Sequence, residues 1–350
     1  MNNLQSKTSD VYINGIGEKY LNFFLENNSK NIFILVDTNS QNFCLSFFLS
    51  KFNISNYQLL KVPAGESSKS LLQLTYLIDS LIKANADRNS ILINLGGGVV
   101  SDLGGFLASV YNRGISFINV PTTLLAQVDA SIGGKNGINY GKVKNKIGVI
   151  NYPLFTIILT KFLESLPQKE IISGYGEIFK YGLIFDRKLW NKLTLLNLNI
   201  ENSKKIVERS VKIKKSVIQI DKRKKNYRNI LNFGHSIGHA IESSNSETCD
   251  INHGLAVVIG MICELYISNL VVKLPSKDLN QSIKVLTEKF PTRKIINLDK
   301  VLDYLKLDKK NNYGKLIFSL VPNIGECLYN QEVSEKIVYE SLVFYNQLHD

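Results

Sequence analysis

The hydrophobic pattern of the chain changes near its middle. In the first part, short apolar runs alternate with segments whose apolar residues recur at helical spacing. The short runs, rich in β-branched residues and bounded by turn residues, are 31–37, 57–63, 90–98 and 115–121. The segments between them that have helical spacing include 70–84 and 102–111. Strands that are apolar at nearly every position are typical of a parallel sheet covered by helices on both faces.

From about residue 160 the pattern is mostly helical, and strand-like runs nearly vanish until residues 315–321. The proline-containing stretches 151–153 and 166–167 mark the change. The sequence therefore predicts an α/β domain at 1–160 and a mostly α-helical domain at 161–350. We find no internal repeat and no low-complexity linker.

Composition indicates a globular, water-soluble protein. The chain has 350 residues, of which 44% are hydrophobic and 21% charged. The sequence contains no run of 18 apolar residues of the kind that predicts a membrane span, and the N-terminus has no secretory signal pattern. The cysteines are scattered without CxxC spacing, which is typical of reduced thiols in a cytoplasmic protein. They are Cys44, Cys249, Cys263 and Cys327.

The net charge of +12 at pH 7 raises the question of a nucleic-acid partner. Much of this charge lies between residues 204 and 228, and no basic module interleaved with aromatic residues accompanies it. A local basic cluster of this kind fits a small anionic substrate better. We expect neither nucleic-acid nor membrane binding.

A glycine-rich turn, ILINLGGGVVSDLGG, follows one of the predicted strands. Gly96, Gly97 and Gly98 would let backbone amides approach a ligand, and a helix N-terminus favours a dinucleotide pyrophosphate. The alternative is a tight strand–helix turn that requires positive φ. Asp37, at the end of an earlier strand, would either accept hydrogen bonds from a ribose or cap the following helix.

Residues 120–139, VPTTLLAQVDASIGGKNGIN, are dense in small residues and carry Asp129 and Lys135 around a Gly-Gly pair. Such a segment orders backbone without burying much surface. We therefore predict a loop that approaches a ligand.

Polar residues occupy one predicted face of the segment 228–239. Arg228, Asn232, His235 and His239 follow one another at spacings of four, three and four, which predicts a single continuous helical face. The two histidines could bind a metal, act in catalysis or lie in the core with satisfied hydrogen bonds. The spacing alone leaves these three interpretations open.

Further candidate ligands and cations lie nearby in the sequence. His253 is a third source of imidazole nitrogen, and Glu177 shares a helical face with Lys180, three residues later. Lys214 falls within an apolar stripe of the preceding helix, formed by Val207, Val211 and Ile218. Its side chain either snorkels to solvent or points into an anion-binding cleft.

Eight ordered motifs between residues 63 and 325 resemble the 3-dehydroquinate synthase family of the sugar-phosphate cyclase superfamily. They are PAGESSKS, LGGGVVSDLGGFLASVYNRG, VPTTLLAQVDASIGGKNGIN, KNKIG, GYGEIFKYGLI, LNFGHSIGHAIE, NHGLAVVIGM and LDKKNNYGKLIFSLVPNIG. The resemblance implies a Rossmann-like NAD-binding α/β domain, a helical domain that binds metal and substrate, and a cytoplasmic homodimer.

The resemblance also implies roles for individual residues. Residues that would contact NAD are Asp37, Glu66, Lys69, Gly97, Gly98, Asp102, Thr122, Thr123 and Lys144. Metal ligands, for Zn²⁺ or Co²⁺, would be Glu177, His235 and His253. Catalytic residues would be Lys135, Lys180, Lys214, Arg228, Asn232 and His239. Residues that hold the substrate would be Arg113, Asp129, Asn145 and one of Lys309 and Lys310. In this division His235 binds the metal and His239 carries a proton.

The implied reaction converts 3-deoxy-D-arabino-heptulosonate 7-phosphate to 3-dehydroquinate and phosphate, a step of the shikimate pathway to chorismate and aromatic amino acids. It proceeds through transient oxidation by NAD, β-elimination of phosphate, re-reduction and intramolecular aldol cyclisation. The net reaction is that of a carbon–oxygen lyase.

Two positions depart from the family pattern. Lys224 stands where the family has a glutamate implicated in proton handling, and Leu255 replaces the acid of a His-Gly-Glu motif. They suggest one alternative, a degenerate NAD- or metal-binding protein. A paralogous sugar-phosphate cyclase is a second alternative. Asn232, His239 and the Lys309–Lys310 pair favour the 3-dehydroquinate synthase reaction.

Overall fold

A computed structural model describes residues 9–27, 31–141, 143–244, 251–307 and 315–350. The chain forms two compact units. The first comprises Met1–Glu170 with Lys204–Val211, and the second comprises Ile171–Ser203 with Lys212–Asp350.

The first unit is built on a parallel six-stranded sheet in the order β1-β8-β5-β4-β2-β3. The strands of the sheet are β1 (Asp10–Ile13), β2 (Ile32–Asp37), β3 (Gln58–Val62), β4 (Ile91–Gly96), β5 (Ser116–Pro121) and β8 (Phe155–Ile158). A separate antiparallel pair consists of β6 (Lys135–Tyr140) and β7 (Val143–Ile150). The helices of this unit are α1 (Gly15–Glu26), α2 (Thr38–Ser40), α3 (Ser46–Lys51), α4 (Leu71–Lys83) and α5 (Gly98–Val110).

The apolar sequence of these strands explains why the sheet lies in the middle of the unit. Every residue of β4 is buried, β2 is buried at all but its two end positions, and β5 at all but its first position. Two separate clusters of buried side chains result, one around Phe33 and Leu103 and the other around Ile34 and Phe48. Alternate side chains of β2 thus enter different clusters, as expected of a strand covered on both faces.

The second unit is mostly helical. Its helices are α6 (Gln168–Ile184), which starts in the first unit, α7 (Arg187–Leu195), α8 (Ile200–Arg223), α9 (His235–Ser244), α10 (His253–Val271), α11 (Ser276–Lys289), α12 (Leu298–Lys306) and α13 (Glu335–Gln347). The antiparallel strands β9 (Leu316–Asn323) and β10 (Glu326–Val333) form a hairpin. Helix α10 is central, because it packs against α9, α11, α13 and β9.

Helix α10 is the one described helix that is long and apolar enough to span a membrane. In the protein 78% of its most apolar window is buried, so it has the burial of a core helix. Core helices of this kind share their composition with membrane spans.

The structure confirms the predicted fold class, an α/β part followed by a mostly helical part. The four predicted strands correspond to β2, β3, β4 and β5, and the run at 315–321 lies in β9. Strands β1, β6, β7, β8 and β10 were not predicted. Strand β7 lacks an apolar run because most of its residues are exposed, so its sequence has no strand signal.

One alternative and two local predictions are wrong. The alternative in which the glycine turn requires positive φ is excluded, since none of Gly96, Gly97 and Gly98 adopts it. Residues 120–139 are not one loop, because 126–130 form a π-helical turn and 135–140 form β6.

The continuous helical face at 228–239 is also wrong. Residues Tyr227–Asn232 form a 3₁₀ helix, and α9 starts only at His235. Gly234 separates the two with a φ of 78°. The chain turns here because Gly234 lies against α10, where a Cβ on this residue would be 2.6 Å from Met261 Cγ.

Candidate metal and cofactor sites

The glycine turn lies at the switch point of the sheet. After β2 the chain moves outward to β3 and then returns to β4 on the other side of β2. In open parallel sheets, ligands bind outside the carboxyl ends of the strands at such a point. The residues that follow these ends include Asp37, the glycines at 97 and 98, and Thr122.

Close packing explains why glycine is needed in this turn. A Cβ on Gly97 would lie 3.1 Å from Thr123 Cγ2, and one on Gly98 would lie 3.2 Å from Ala130 Cβ. Gly97 is also the residue before the first turn of α5, where unpaired backbone amides gather. This turn has the backbone and dipole that bind a pyrophosphate group.

Asp37 caps a helix. Its Oδ1 accepts the backbone N–H of Ser40 at 2.7 Å and the Ser40 hydroxyl at 2.9 Å. The capping interpretation of Asp37 is therefore confirmed. The contact of Asp37 with a ribose stays a prediction.

Lys69 joins several of the predicted nucleotide and substrate residues in the first unit. It is 4% exposed, and its ammonium donates to Asp102 Oδ2 at 2.7 Å and to Asn145 Oδ1 at 2.5 Å. Glu66 lies 3.8 Å from the same ammonium and accepts the Asn139 side-chain amide at 2.8 Å. A buried lysine with these partners is a fixed cation beside the glycine turn of α5.

Five further predicted residues of this unit, Arg113, Asp129, Lys135, Lys144 and Asn145, are partly or fully exposed. Arg113 ends a short 3₁₀ turn with a φ of 64°, Asp129 lies in the π-helical turn, and Lys135 begins β6. Lys144 and Asn145 lie in β7.

In the second unit, three helices bring Glu177, His235 and His253 together. Glu177 lies in α6, His235 begins α9 and His253 begins α10. One potential ligand atom from each residue lies within 4.8 Å of the other two. Thus the three residues predicted to bind metal do form a cluster.

Glycines allow the backbones of these helices to touch. A Cβ on Gly254 would lie 2.0 Å from the Ser173 carbonyl oxygen, and one on Gly260 would lie 2.0 Å from that of Gly234. The Ser173 hydroxyl also accepts the Gly254 N–H at 3.2 Å. Any larger residue would push the helices apart and separate the three ligands.

The donor atoms are spaced as a tetrahedral metal requires. His235 Nε2 lies 3.3 Å and His253 Nε2 lies 3.5 Å from Glu177 Oε1. Two donors bound to one tetrahedral zinc at about 2.0–2.1 Å are about 3.3–3.4 Å apart. Glu177 is fully buried, yet neither of its carboxylate oxygens accepts a hydrogen bond of normal geometry from the described residues. The cluster therefore fits a divalent metal.

The remaining ring nitrogens orient the two histidines. His235 Nδ1 lies 3.1 Å from the Phe233 carbonyl oxygen, to which it donates when protonated. His253 Nδ1 lies 3.3 Å from Glu242 Oε2. Protonation at Nδ1 leaves the Nε2 lone pair for a metal in both rings.

The surroundings of Glu177 keep its carboxyl group ionised, as a metal ligand must be. Burial alone would raise the pKa of the Glu177 carboxyl, but the Lys180 ammonium, which contacts Oε2, and the His235 imidazole hold it well below its usual value. Burial lowers the pKa of His235. Burial also disfavours charged His253, but Glu177 and Glu242 raise its pKa to about 10.

Buried cations accompany the metal cluster in this unit. Lys180 is 1% exposed and Lys214 is 4% exposed. Val207, Val211 and Ile218 are buried in the same helix, so the predicted apolar stripe is confirmed. The snorkelling alternative for Lys214 is wrong because so little of the residue reaches solvent.

The turn that carries Arg228 and Asn232 is held by the hairpin β9–β10. The Ser319 hydroxyl donates to the Asn229 carbonyl oxygen at 2.7 Å, and the Asn229 side-chain amide donates to Asn330 Oδ1 at 3.0 Å. Asp221 Oδ1 accepts the Arg228 backbone N–H at 2.9 Å. These contacts fix the backbone of the turn and therefore the point from which the Arg228 side chain starts.

Lys224 has a structural setting of its own. Its ammonium lies 5.6 Å from the centroid of the Tyr227 ring and 5.6 Å from that of Tyr329. A cation between two aromatic rings is attracted to both. Lys224 thus ties the turn to β10.

His239 is exposed, and its ring centroid lies 5.2 Å from that of His235. It is close to the Glu177–His235–His253 cluster but does not belong to it; its ring instead has a ligand atom within 4.8 Å of ligand atoms of Glu242 and His253. Lys309 and Lys310, the two candidates for a further substrate lysine, lie outside the described residues.

Two acidic residues of this site were not predicted. Glu242 faces His253, and Glu264 Oε2 accepts the Gly234 N–H at 2.7 Å just before His235. The position of Glu242, seven residues after His235, puts it on the same face of α9 and could have revealed it. Nothing in the sequence indicates that Glu264 reaches Gly234, because that contact depends on how α9 and α10 pack.

Solved structures similar to this chain have the same fold. One is 2-deoxy-scyllo-inosose synthase, with a TM-score of 0.84, 24% identity and 97% of each chain covered. Another is 2-epi-5-epi-valiolone synthase from Streptomyces hygroscopicus subsp. jinggangensis, with a TM-score of 0.82, 22% identity and 99% of each chain covered. The second is a complex with NAD⁺ and Zn²⁺. A further 2-deoxy-scyllo-inosose synthase structure contains carbaglucose-6-phosphate, NAD⁺ and Co²⁺. The chain thus has the fold of these synthases.

Sequence comparison identifies the family to which the chain belongs. Residues 59–173 match the model of the 3-dehydroquinate synthase N-terminal domain, and residues 174–311 match that of the C-terminal domain. The 3-dehydroquinate synthase of Dictyoglomus thermophilum is 37% identical over 346 residues, 97% of this chain and 96% of the relative. That of Parabacteroides distasonis is 36% identical over 322 residues, 90% of this chain and 91% of the relative. The chain belongs to the 3-dehydroquinate synthase family and is an enzyme, as the eight motifs predicted.

Proposed function

We propose that the protein converts 3-deoxy-D-arabino-heptulosonate 7-phosphate to 3-dehydroquinate and phosphate. The observation that carries this proposal is the Glu177–His235–His253 cluster, found in a chain that matches both domains of the 3-dehydroquinate synthase family. The cluster offers a divalent metal two imidazole nitrogens and one carboxylate, with room for oxygen ligands of a substrate.

We assign the metal site to the helical unit and the NAD site to the α/β unit. NAD would lie at the switch point, with its pyrophosphate at Gly97 and Gly98 and with Asp37, Thr122 and Thr123 beside it. Glu66, Lys69, Asp102 and Lys144 complete the proposed set. Two of the similar solved structures contain NAD⁺ together with Co²⁺ or Zn²⁺, which supports the pair of cofactors.

The cofactors would supply the chemistry that side chains lack. A bound divalent metal is a Lewis acid that makes substrate hydroxyls more acidic, and NAD is an acceptor and donor of hydride. The protein holds Nδ1 of both histidines so that Nε2 faces the metal position. Glycine turns bring backbone amides to the position of the dinucleotide.

The anionic substrate requires cations. Lys180 and Lys214 are buried in the helical unit, and Arg228 starts from a turn that the β9–β10 hairpin holds. Charge-assisted hydrogen bonds from such groups bind phosphate and carboxylate strongly. We assign the same role to Arg113 and Lys135, with Asp129, Asn145 and Asn232 as hydrogen-bonding partners of the substrate hydroxyls.

His239 is the proposed proton carrier. It is solvent-exposed beside the metal cluster, so it can exchange protons with water while remaining near the substrate. We further propose that the enzyme is a homodimer in the cytoplasm.

An assay of substrate choice tests this proposal. The purified protein, loaded with zinc and NAD⁺, receives either the heptulosonate phosphate or glucose 6-phosphate, and released phosphate is measured. We expect phosphate from the heptulosonate phosphate only. Release from glucose 6-phosphate instead would favour a paralogous cyclase, and release from neither would contradict the proposal.

A further inference from the structure

His253 lies between two carboxylates from different helices. Its Nε2 lies 3.5 Å from Glu177 Oε1 in α6, and its Nδ1 lies 3.3 Å from Glu242 Oε2 in α9. The Glu242 side chain is 6% exposed and that of His253 is 30% exposed. The Glu242 carboxylate is thus nearly as well shielded from water as a core residue.

An imidazole that binds a metal is neutral, with one ring nitrogen protonated and a lone pair on the other. A carboxylate at Nδ1 keeps the proton there, so that the lone pair is on Nε2. This Nε2 faces Glu177 Oε1 and belongs to the proposed metal cluster. The same contact also limits rotation of the ring about its χ2 torsion, because turning the ring would separate Nδ1 from Glu242.

The position of Glu242 in the helix makes this contact stable. Glu242 follows His235 by seven residues, about two turns, so one face of α9 carries both a metal ligand and the partner of another ligand. The close packing of α9 on α10 at Gly238 and Ala256 fixes the distance between that face and His253. Leu255, in the first turn of α10, offers no carboxylate, and α9 supplies the one that faces Nδ1 of His253.

We propose that Glu242 is a positioning residue of the metal site, one that holds His253 in the tautomer and orientation that bind the metal. This inference rests on the proposed metal site and deepens it. Carboxylates that support a histidine ligand in this way typically raise metal affinity by about 10–100-fold.

A second metal ion is the competing interpretation. His239, Glu242 and His253 also have ligand atoms within 4.8 Å of one another. If Nε2 of His253 binds the first metal, a second ion on Nδ1 would require removal of the last ring proton. Two cations would then share one imidazolate, which costs far more than one hydrogen bond to Glu242. The positioning role is therefore favoured.

The test uses the full-length protein and three variants. Glu242→Gln keeps the size of the side chain and removes its charge, and Glu242→Ala removes the contact altogether. Glu288→Gln is the matched control, because it removes the same charge at an exposed side chain whose ion-pair partner, Lys284, is 3.9 Å away. Metal affinity is measured by competition with a chelator, and bound metal is counted by mass spectrometry.

We expect one ion per chain in the wild type and a metal Kd raised about 10–100-fold in both Glu242 variants. Glu288→Gln should keep the wild-type Kd. In the cobalt-loaded form, Glu242→Gln should keep the wild-type band shape at saturation, because its three ligands are unchanged. Circular dichroism of the metal-free variants is measured first, because it would show a folding defect. If the Ala variant does not fold, the Kd of Glu242→Gln, which keeps the shape of the side chain, decides the question.

Two results would overturn the proposal. One is an unchanged Kd in the folded Glu242→Gln and Glu242→Ala proteins. The other is a second wild-type equivalent of metal that the Glu242 variants lose, which would establish the competing site. Neither measurement uses substrate, so failure here is distinct from failure of the proposed reaction, which the phosphate assay detects in the wild type.

Discussion

In both His235 and His253, the two ring nitrogens have different roles. Phe233 and Glu242 face the Nδ1 atoms, and this leaves both Nε2 atoms directed at Glu177. His239 is on the same helix as His235 but is exposed. The sequence spacing of four residues could not distinguish these two histidines, because it places both on one face. Only the contacts of each ring distinguish His235, a candidate metal ligand, from His239, a neighbour of the metal cluster.

Replacing His239 by alanine tests this separation. We expect about one metal ion per chain in His239→Ala, because the Glu177, His235 and His253 ligands remain. The turnover number should fall by about 10²–10⁴-fold, the usual contribution of a positioned acid or base. Metal content is counted in the purified variant and phosphate release is measured with saturating substrate. His349→Ala, at the end of α13, is the histidine control, and loss of metal from His239→Ala alone would refute the division of roles.

Helices α9 and α10 show what happens where the sequence pattern and tertiary packing disagree. A helical spacing continues through 228–239, but the chain breaks at Gly234, which packs on Met261 and donates its N–H to Glu264. Strands β2, β4 and β5 of the sheet were predictable because burial on both faces makes them largely apolar, whereas β1 and β8, with only four residues each, were not predicted. The β6–β7 pair and the break before α9 were not predictable, since exposure and contacts with distant residues determine them.

Alanine at Gly234 tests the importance of that break. A Cβ there would meet the Val257 carbonyl oxygen at 2.8 Å, and the φ of 78° adds backbone strain. We expect the free energy of unfolding to fall by about 1–3 kcal/mol from the strained backbone alone, and by more when the clash is added. Denaturant unfolding of the metal-free wild type and variant measures this loss of stability.

Gly141→Ala is the matched control for Gly234→Ala. Gly141 also has a positive φ, of 57°, but a Cβ there would meet nothing within 4 Å. Its loss of stability should therefore be the smaller of the two. Equal losses in the two variants would show that packing against α10 contributes nothing.

At the scale of the whole molecule, the chain divides into a unit with a dinucleotide-type glycine turn and a unit with a metal cluster. The change in hydrophobic pattern near residue 160 predicted two different architectures, because each architecture has its own periodicity. The residues of the candidate sites were named by resemblance to a family, whereas spacing alone left metal, catalysis and core as alternatives. Supporting residues such as Glu242 became visible only with the fold.

Removal of the metal should destabilise the protein. A ligand that binds only the folded state adds about 2.7 kcal/mol to stability at 100 times its Kd. We therefore expect thermal unfolding at a lower temperature in a chelator than in excess zinc. Glu177→Gln should show no such difference because it lacks the central carboxylate. A zinc-dependent shift of wild-type size in Glu177→Gln would place the stabilising ion elsewhere.

We propose that this enzyme eliminates phosphate while its NAD is recycled. The most direct measurement follows phosphate and NADH together as the zinc-loaded protein consumes the heptulosonate phosphate. We predict one phosphate released per substrate consumed and no NADH accumulating beyond the amount of enzyme. NADH formed in proportion to substrate, without phosphate, would show a simple dehydrogenase and would contradict the account.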